Sequence, residues 1–162
     1  MEPTPHRTGL GQDSHAFEPV HSQKPLLLGG VIFPGGIPGL QGNSDADVVL
    51  HALTHAISGI TGINILGNRA DELCRSGITD SAVYVEEALS HLSPGLRILH
   101  VSFSIECARP RITPMIPAMR QRIANILHIR EDRVGITATS GEGLTPFGQG
   151  LGIQVFCIVT AG

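Results

Sequence analysis

From Ser44 onward the chain changes period: Val49, Leu53, Ile57 and Ile60 recur three or four residues apart, which places them on one face of a helix. A helix with a single apolar face must bury it against a sheet or another helix. SDAD opens this segment, with Ser44 as the expected N-cap and Asp47 at the third position. The polar side of the same helix carries Asp47, His51 and His55 at i, i+4 and i+8. Two readings of that row stand side by side. Either Asp47 caps the helix and the histidines are ordinary surface or core residues, or the row is a ligand face. Spacing alone does not choose between them.

The remaining periodic segments supply what this helix can pack on. A strand is expected at residues 8–11, and PLLLGGVIF at residues 25–33 reads as a strand bent by its Gly pair. A second helix is expected at residues 81–91, with Ala82, Val85 and Leu89 as its buried stripe. ILHVSFSIEC then alternates, putting Leu99, Val101, Phe103, Ile105 and Cys107 on one face of a half-buried strand. A third helix at residues 117–127 and two strands, RVGITAT and GIQVFCIVT, complete the pattern. The order β-β-α-α-β-α-β-β predicts a sheet covered by helices on one face. The 20 glycines and 11 prolines punctuate these segments without forming a low-complexity tract or a repeat.

Composition narrows the function classes. At 162 residues, 41% hydrophobic and 15% charged, one globular domain is expected. A net charge of -3 and the lack of a Lys/Arg stripe argue against nucleic acid as the partner. Cys74, Cys107 and Cys157 are odd in number and far apart, which fits neither a disulfide framework nor a C-x-x-C site and suits a reducing cytoplasm. MEPTPHRTG has no apolar signal-peptide core, and no run of about 18 apolar residues could span a bilayer. A soluble protein without a membrane partner is therefore expected.

Two short stretches carry chemistry. In GQDSHAF, Asp13 and His15 are two residues apart and project to the same side of an extended chain, so they could grip a metal or simply form a polar loop. If the first helix packs beside this strand, His51 would complete a three-ligand set of N and O donors with one position open for substrate. TATSGEG ends a strand with hydroxyls, small residues and one carboxylate. It reads either as a hairpin turn or as a loop offering Thr139, Ser140 and backbone N–H groups to phosphate, with Glu142 for a hard cation such as Mg2+.

GQDSHAF, NSDADVVLHALTHAI, ARPRITPMIPAMRQRIA and TATSGEGL follow one another with an order and spacing that resemble the 2-C-methyl-D-erythritol 2,4-cyclodiphosphate synthase family from Arg7 to Thr160. The most specific parts are D-x-H, S-D-x-D-V-x-x-H-A and R-P-[KR]-[IL]-x-P. The resemblance implies an α+β fold in a single domain over residues 1–162, with residues 1–6 flexible. It implies a mixed sheet covered by helices on one face and a chorismate-mutase-like homotrimer with active sites between subunits. The implied substrate is a small nucleotide diphosphate, cyclised with release of CMP in the non-mevalonate isoprenoid pathway. Asp13, His15 and His51 match the family's ligands for Zn2+ or another divalent transition metal, and Glu142 matches the ligand for Mg2+ or Mn2+. Thr139 and Ser140 match hydroxyls on phosphate. Cys107, Pro110, Arg111, Ile112, Thr113 and Ala138 match the cytidine site, while Asn43, Ser44 and Gly67 match the substrate loop and rim.

Departures from the family pattern set further expectations. Asn43 stands where His is usual, keeping a donor but losing a titratable group, and His55 stands where many members have Asp. Ile65 occupies the place of an Asp that contacts the ribose, which implies different recognition or a carboxylate supplied by Asp71 or Glu72 from a moved loop. Gln149 replaces an Arg that receives an isoprenoid diphosphate on the trimer axis, arguing against binding there. Two other functions share these residues: a non-catalytic zinc-bound trimer holding a nucleotide or isoprenoid diphosphate, and a metal-dependent phosphohydrolase.

Overall fold

In the computed structural model, which describes residues 5–162, alternation along two central strands marks the buried side of the sheet. β4 (Ile98–Glu106) and β6 (Gly152–Ala161) are antiparallel neighbours; Val101, Phe103 and Ile105 on one and Ile153, Val155, Cys157 and Val159 on the other are buried. β1 (Arg7–Ala16) adds antiparallel to β6, and β5 (Val134–Thr139) adds parallel to β4, giving a mixed sheet in the order β1-β6-β4-β5. The first four residues of the segment 1–6 expected to be flexible lie outside the described residues, and β1 already begins at Arg7.

Among the described residues three α-helices form the layer on one face, and a fourth, short one connects two of them. α1 (Val48–Thr61) lies across β1 and β6, α3 (Ser81–Ser90) packs on α1, and α4 (Ile116–Leu127) packs on β5. The short α2 (Asn68–Arg75) links α1 to α3. The opposite face carries Leu10, Gln12, Ser102, Ser104, Phe156 and Ile158, all exposed. Among the described residues no helix is long and apolar enough to cross a membrane.

Several local expectations need correction. β1 runs on through Asp13 and His15 to Ala16, so D-x-H is inside a strand and not in a turn after it. The 25–33 segment is a hairpin of two short strands, β2 (Leu27–Leu28) and β3 (Val31–Ile32), turning at Gly29 and Gly30, whose φ of 62° and 74° suit a tight primed turn. Asp47, not Ser44, is the N-cap of α1: it accepts the N–H groups of Val49 and Leu50 at 3.1 and 3.0 Å. Ala46 at φ 55° turns the chain away from helix between Ser44 and Asp47. The same carboxylate accepts the N–H groups of Gly29 and Gly30 at 2.9 and 2.6 Å, so Asp47 faces the hairpin and leaves the His51 row. Leu99 is half-buried because a register shift between Ile98 and His100 turns Ile98 into the core instead. The helix α2 was not expected from the pattern; only Ala70 and Leu73 of its eight residues are buried.

Where α1 crosses β1, two glycines remove every side-chain atom between the backbones. A Cβ on Gly9 would lie 1.9 Å from the carbonyl oxygen of Ala56, and one on Gly11 would lie 1.9 Å from that of Ala52. Backbone meets backbone there, and neither side can yield. Gly11→Ala is therefore expected to cost about 3 kcal/mol, the upper end of overpacking penalties, read as a lowered midpoint in urea denaturation; an unchanged midpoint would show that α1 can lift off β1 freely.

Candidate metal and nucleotide site

Gly9, Gly11, Asp13 and His15 alternate along the helix-facing side of β1. Because α1 rests directly on the two glycines, its first turns reach the next two positions, and His51 comes to lie against Asp13 and His15. Asp13 Oδ2, His15 Nε2 and His51 Nδ1 are mutually 2.9, 3.1 and 3.3 Å apart. A tetrahedral ion with ligands at 2.0–2.1 Å separates them by about 3.3 Å. Two nitrogens and one oxygen thus stand at the spacing of three ligands of one divalent cation, and their chemistry suits a transition metal such as zinc.

The electrostatics agree with that use. Burial would raise the Asp13 carboxyl, but the His15 and His51 imidazoles beside it outweigh that and hold it far below the usual carboxylate range. The Asp13 carboxylate, as acceptor, raises the His15 imidazole against the opposing effect of burial. Asp13 is therefore an anion ready to meet a cation at neutral pH.

A cavity of about 220 Å3 opens beside the cluster. Asn43 and Ser44 from the loop before α1, and Leu66 and Gly67 from the loop before α2, form its walls. His55, one turn beyond His51, also lines it but stands outside the three-ligand cluster; burial pushes its imidazole down, toward the neutral form. Ile65 is built into the core at 1% exposure. Of the two acids expected from that region, Asp71 lines the cavity, whereas Glu72 pairs with Arg69 at 3.3 Å on the surface.

A second cavity, about 250 Å3, lies at the far edge of the sheet where β4 and β5 end. Cys107, Pro110, Arg111, Ile112, Thr113, Ala138, Thr139 and Ser140 all line it. Burial pushes the Cys107 thiol up to about 11, so it is a neutral wall group. Thr139 Oγ1 accepts the Gly141 N–H and Ser140 Oγ accepts the Glu142 N–H, both at 3.3 Å, which leaves each hydroxyl hydrogen free to donate outward. Glu142 sits exposed in the next turn at φ 52°. The structure thus divides the sequence-derived residues into two groups, and does not bring Glu142 to the Asp13 cluster within one chain. β1 and β5 are separated by β6 and β4, three strand spacings of about 4.8 Å each.

Asp45, Ser81 and Tyr84 were not singled out from sequence. Tyr84 lines the first cavity, and Ser81 contacts the back of His51. The acid of Asp45 inside SDAD and the Asp80-Ser81 pair at the start of α3 read as ordinary capping signals, and only packing of α3 on α1 reveals the contact.

The comparisons agree with this geometry. The sequence model of the YgbB family matches residues 6–161. The chain is 53% identical over 156 residues to the 2-C-methyl-D-erythritol 2,4-cyclodiphosphate synthase of Chlamydia trachomatis, covering 96% of this chain and 87% of that protein. The bifunctional IspDF from Campylobacter jejuni superposes with a TM-score of 0.86 at 28% identity, over 97% of this chain but 42% of that one, so this chain spans less than half of its length. A 2C-methyl-D-erythritol-2,4-cyclodiphosphate synthase solved in a CDP-bound form superposes with a TM-score of 0.79 at 27% identity, over 96% of this chain and 100% of that one. A match across nearly the whole chain, at more than half identity to a relative of similar length, places it plainly: the chain belongs to the YgbB family of 2-C-methyl-D-erythritol 2,4-cyclodiphosphate synthases.

Proposed function

We propose that this protein cyclises 4-diphosphocytidyl-2-C-methyl-D-erythritol 2-phosphate to 2-C-methyl-D-erythritol 2,4-cyclodiphosphate and releases CMP, acting as a homotrimer with each site shared by two copies. The observation that carries the shared site is the placement of its halves at opposite edges of one sheet. Cavities of about 220 and 250 Å3 each fall short of the roughly 300 Å3 that a drug-sized ligand needs. The metal half of one copy facing the nucleotide half of another gives enough room. The uncovered sheet face supports assembly: Leu10, Phe156 and Ile158 are 64%, 40% and 47% exposed, and Leu10 pairs directly with Ile158.

In this reading the 2-phosphate oxygen attacks the β-phosphorus, and the bond from that phosphorus to the oxygen bridging toward the α-phosphate breaks, so CMP leaves with the bridging oxygen. Nucleophile and electrophile belong to one substrate, so the protein's task is to fold it for in-line attack and to neutralise phosphate charge. Asp13, His15 and His51 would hold a divalent transition metal and Glu142 a magnesium or manganese ion, which when bound supply Lewis-acid charge to the phosphoryl oxygens. Asn43 and Ser44 close over the methylerythritol phosphate beside Gly67. Thr139 and Ser140 donate their free hydroxyl hydrogens to the diphosphate. Cys107, Pro110, Ile112, Thr113 and Ala138 form the cytidine slot, and the Arg111 guanidinium meets a phosphate at its mouth. Three cysteines free of disulfides, two of them buried, support the reading of a protein working in a reducing cytoplasm.

Incubation of purified protein with the cytidyl diphosphate substrate and Mg2+ should release CMP and give a cyclic diphosphate phosphorus NMR spectrum, and removal of the transition metal by a chelator should stop both. Linear phosphate products would instead mean a phosphohydrolase, and saturable CMP binding without turnover a binding protein. His51→Ala is expected to abolish turnover and to lower zinc content by atomic absorption while circular dichroism stays native; full zinc occupancy would defeat the ligand assignment. Sedimentation should give three times the 17.1 kDa chain mass, and Phe156→Asp should shift it toward monomer with loss of activity.

A further inference from the structure

The three donor atoms of the cluster can serve one cation only if the His51 imidazole presents a lone pair at Nδ1, and the groups behind the ring decide that. His51 Nε2 lies 2.9 Å from Ser81 Oγ. Ser81 is fully buried, so its hydroxyl takes its partners from the protein. Its hydroxyl has a single hydrogen, and that hydrogen goes to Asp45 Oδ1 in a short contact. A carboxylate only accepts, and Asp45 also accepts the N–H groups of Ser81 at 2.9 Å and Asp47 at 3.0 Å. The Ser81 oxygen therefore offers His51 a lone pair and no proton. Ser44 Oγ, 3.5 Å from the same nitrogen, accepts the Ala46 N–H at 3.1 Å.

We infer that Asp45 and Ser81 are a positioning pair: through the hydroxyl of Ser81 they hold His51 in the Nε2–H form and turn its Nδ1 lone pair toward Asp13 and His15. This rests on His51 being a metal ligand, and it assigns a role to two residues that touch neither the metal position nor the cavity where substrate binds. With Nε2 donating, His51 turns its Nδ1 lone pair toward His15 Nε2 and Asp13 Oδ2, all within 3.3 Å of one another, the spacing at which the three can share one cation. The same pair ties the start of α3 to the loop before α1, so ring orientation is set by the packing of two helices and not by a mobile side chain.

Nitrogen-15 spectra of the histidine side chains in the zinc-loaded wild-type protein test the tautomer directly. The inference expects His51 to carry its proton on Nε2 with Nδ1 shifted by the metal; a proton on Nδ1 overturns it. Ser81→Ala, which removes the acceptor behind the ring, should weaken zinc binding about 10- to 100-fold in a competition titration against a chromogenic chelator. Asp45→Asn, which removes the full negative charge that claims the Ser81 proton, should move zinc affinity in the same direction. Wild-type affinity in folded Ser81→Ala overturns the pair even when His51 proves to be a ligand, whereas a wild-type protein that takes up no zinc defeats the ligand assignment and the pair with it. Should Ser81→Ala not fold, the wild-type spectrum alone decides.

Discussion

Everything in the metal half of the site depends on how closely α1 lies on β1. The Cβ atoms that Gly9 and Gly11 lack would each fall 1.9 Å from a carbonyl oxygen of α1, at Ala56 and Ala52. With side chains between them the two backbones would stand apart by ordinary side-chain packing distances. His51 would then not reach a strand whose own donors, Asp13 and His15, extend only a few bonds from its backbone. Small residues on both elements, glycine on the strand and alanine on the helix, convert a generic helix-on-sheet layer into one where side chains from two elements meet at 3 Å. The fold and the site share one contact.

That contact also explains which parts of the structure were legible in the sequence. The long helix, the β4 and β6 alternation and the one-sided coverage followed from apolar period, because those segments bury hydrophobic stripes and little else. The length of β1 did not. Its inward positions are Gly9, Gly11, Asp13 and His15, two without side chains and two polar, so hydrophobic alternation stops where the functional residues begin although pairing continues to Ala16–Gly152. Asp47 was visible as a cap or a ligand, and the hairpin at Gly29 and Gly30, whose N–H groups it binds, could not be placed beside it from spacing. Helix α2 gave almost no signal because only Ala70 and Leu73 face the core. The metal set was open to local reading through D-x-H and the helix face, whereas in the second cavity only Thr139 and Ser140 were open to it and the other residues came from family resemblance.

The two halves of the site have different physical characters. At the β1 edge, convergent donors and a carboxylate held ionised prepare a place for a cation. At the β5 edge, a neutral thiol, small side chains and outward hydroxyls line a cavity without a buried charge, as the proposed nucleotide half would need. β6 and β4 hold these edges apart, and in the proposed trimer the apolar row of Leu10 and Ile158 on the uncovered face is the surface through which copies would bring them together.

Ile65 and Asp71 show how such a wall tolerates change. Ile65 is sealed in the core, where a carboxylate would lose its hydration without a partner and destabilise the packing of the loop. In the first turn of α2, Asp71 lines the cavity while Arg69 holds Glu72 on the outside. Because α2 is short and buries only two side chains, few core contacts fix which acid faces inward. The metal cluster has no such freedom, since β1, α1 and α3 each contribute to it through backbone contacts or buried hydrogen bonds. Rigid elements therefore set the three-residue cluster, and a lightly anchored helix supplies part of the cavity wall beside it.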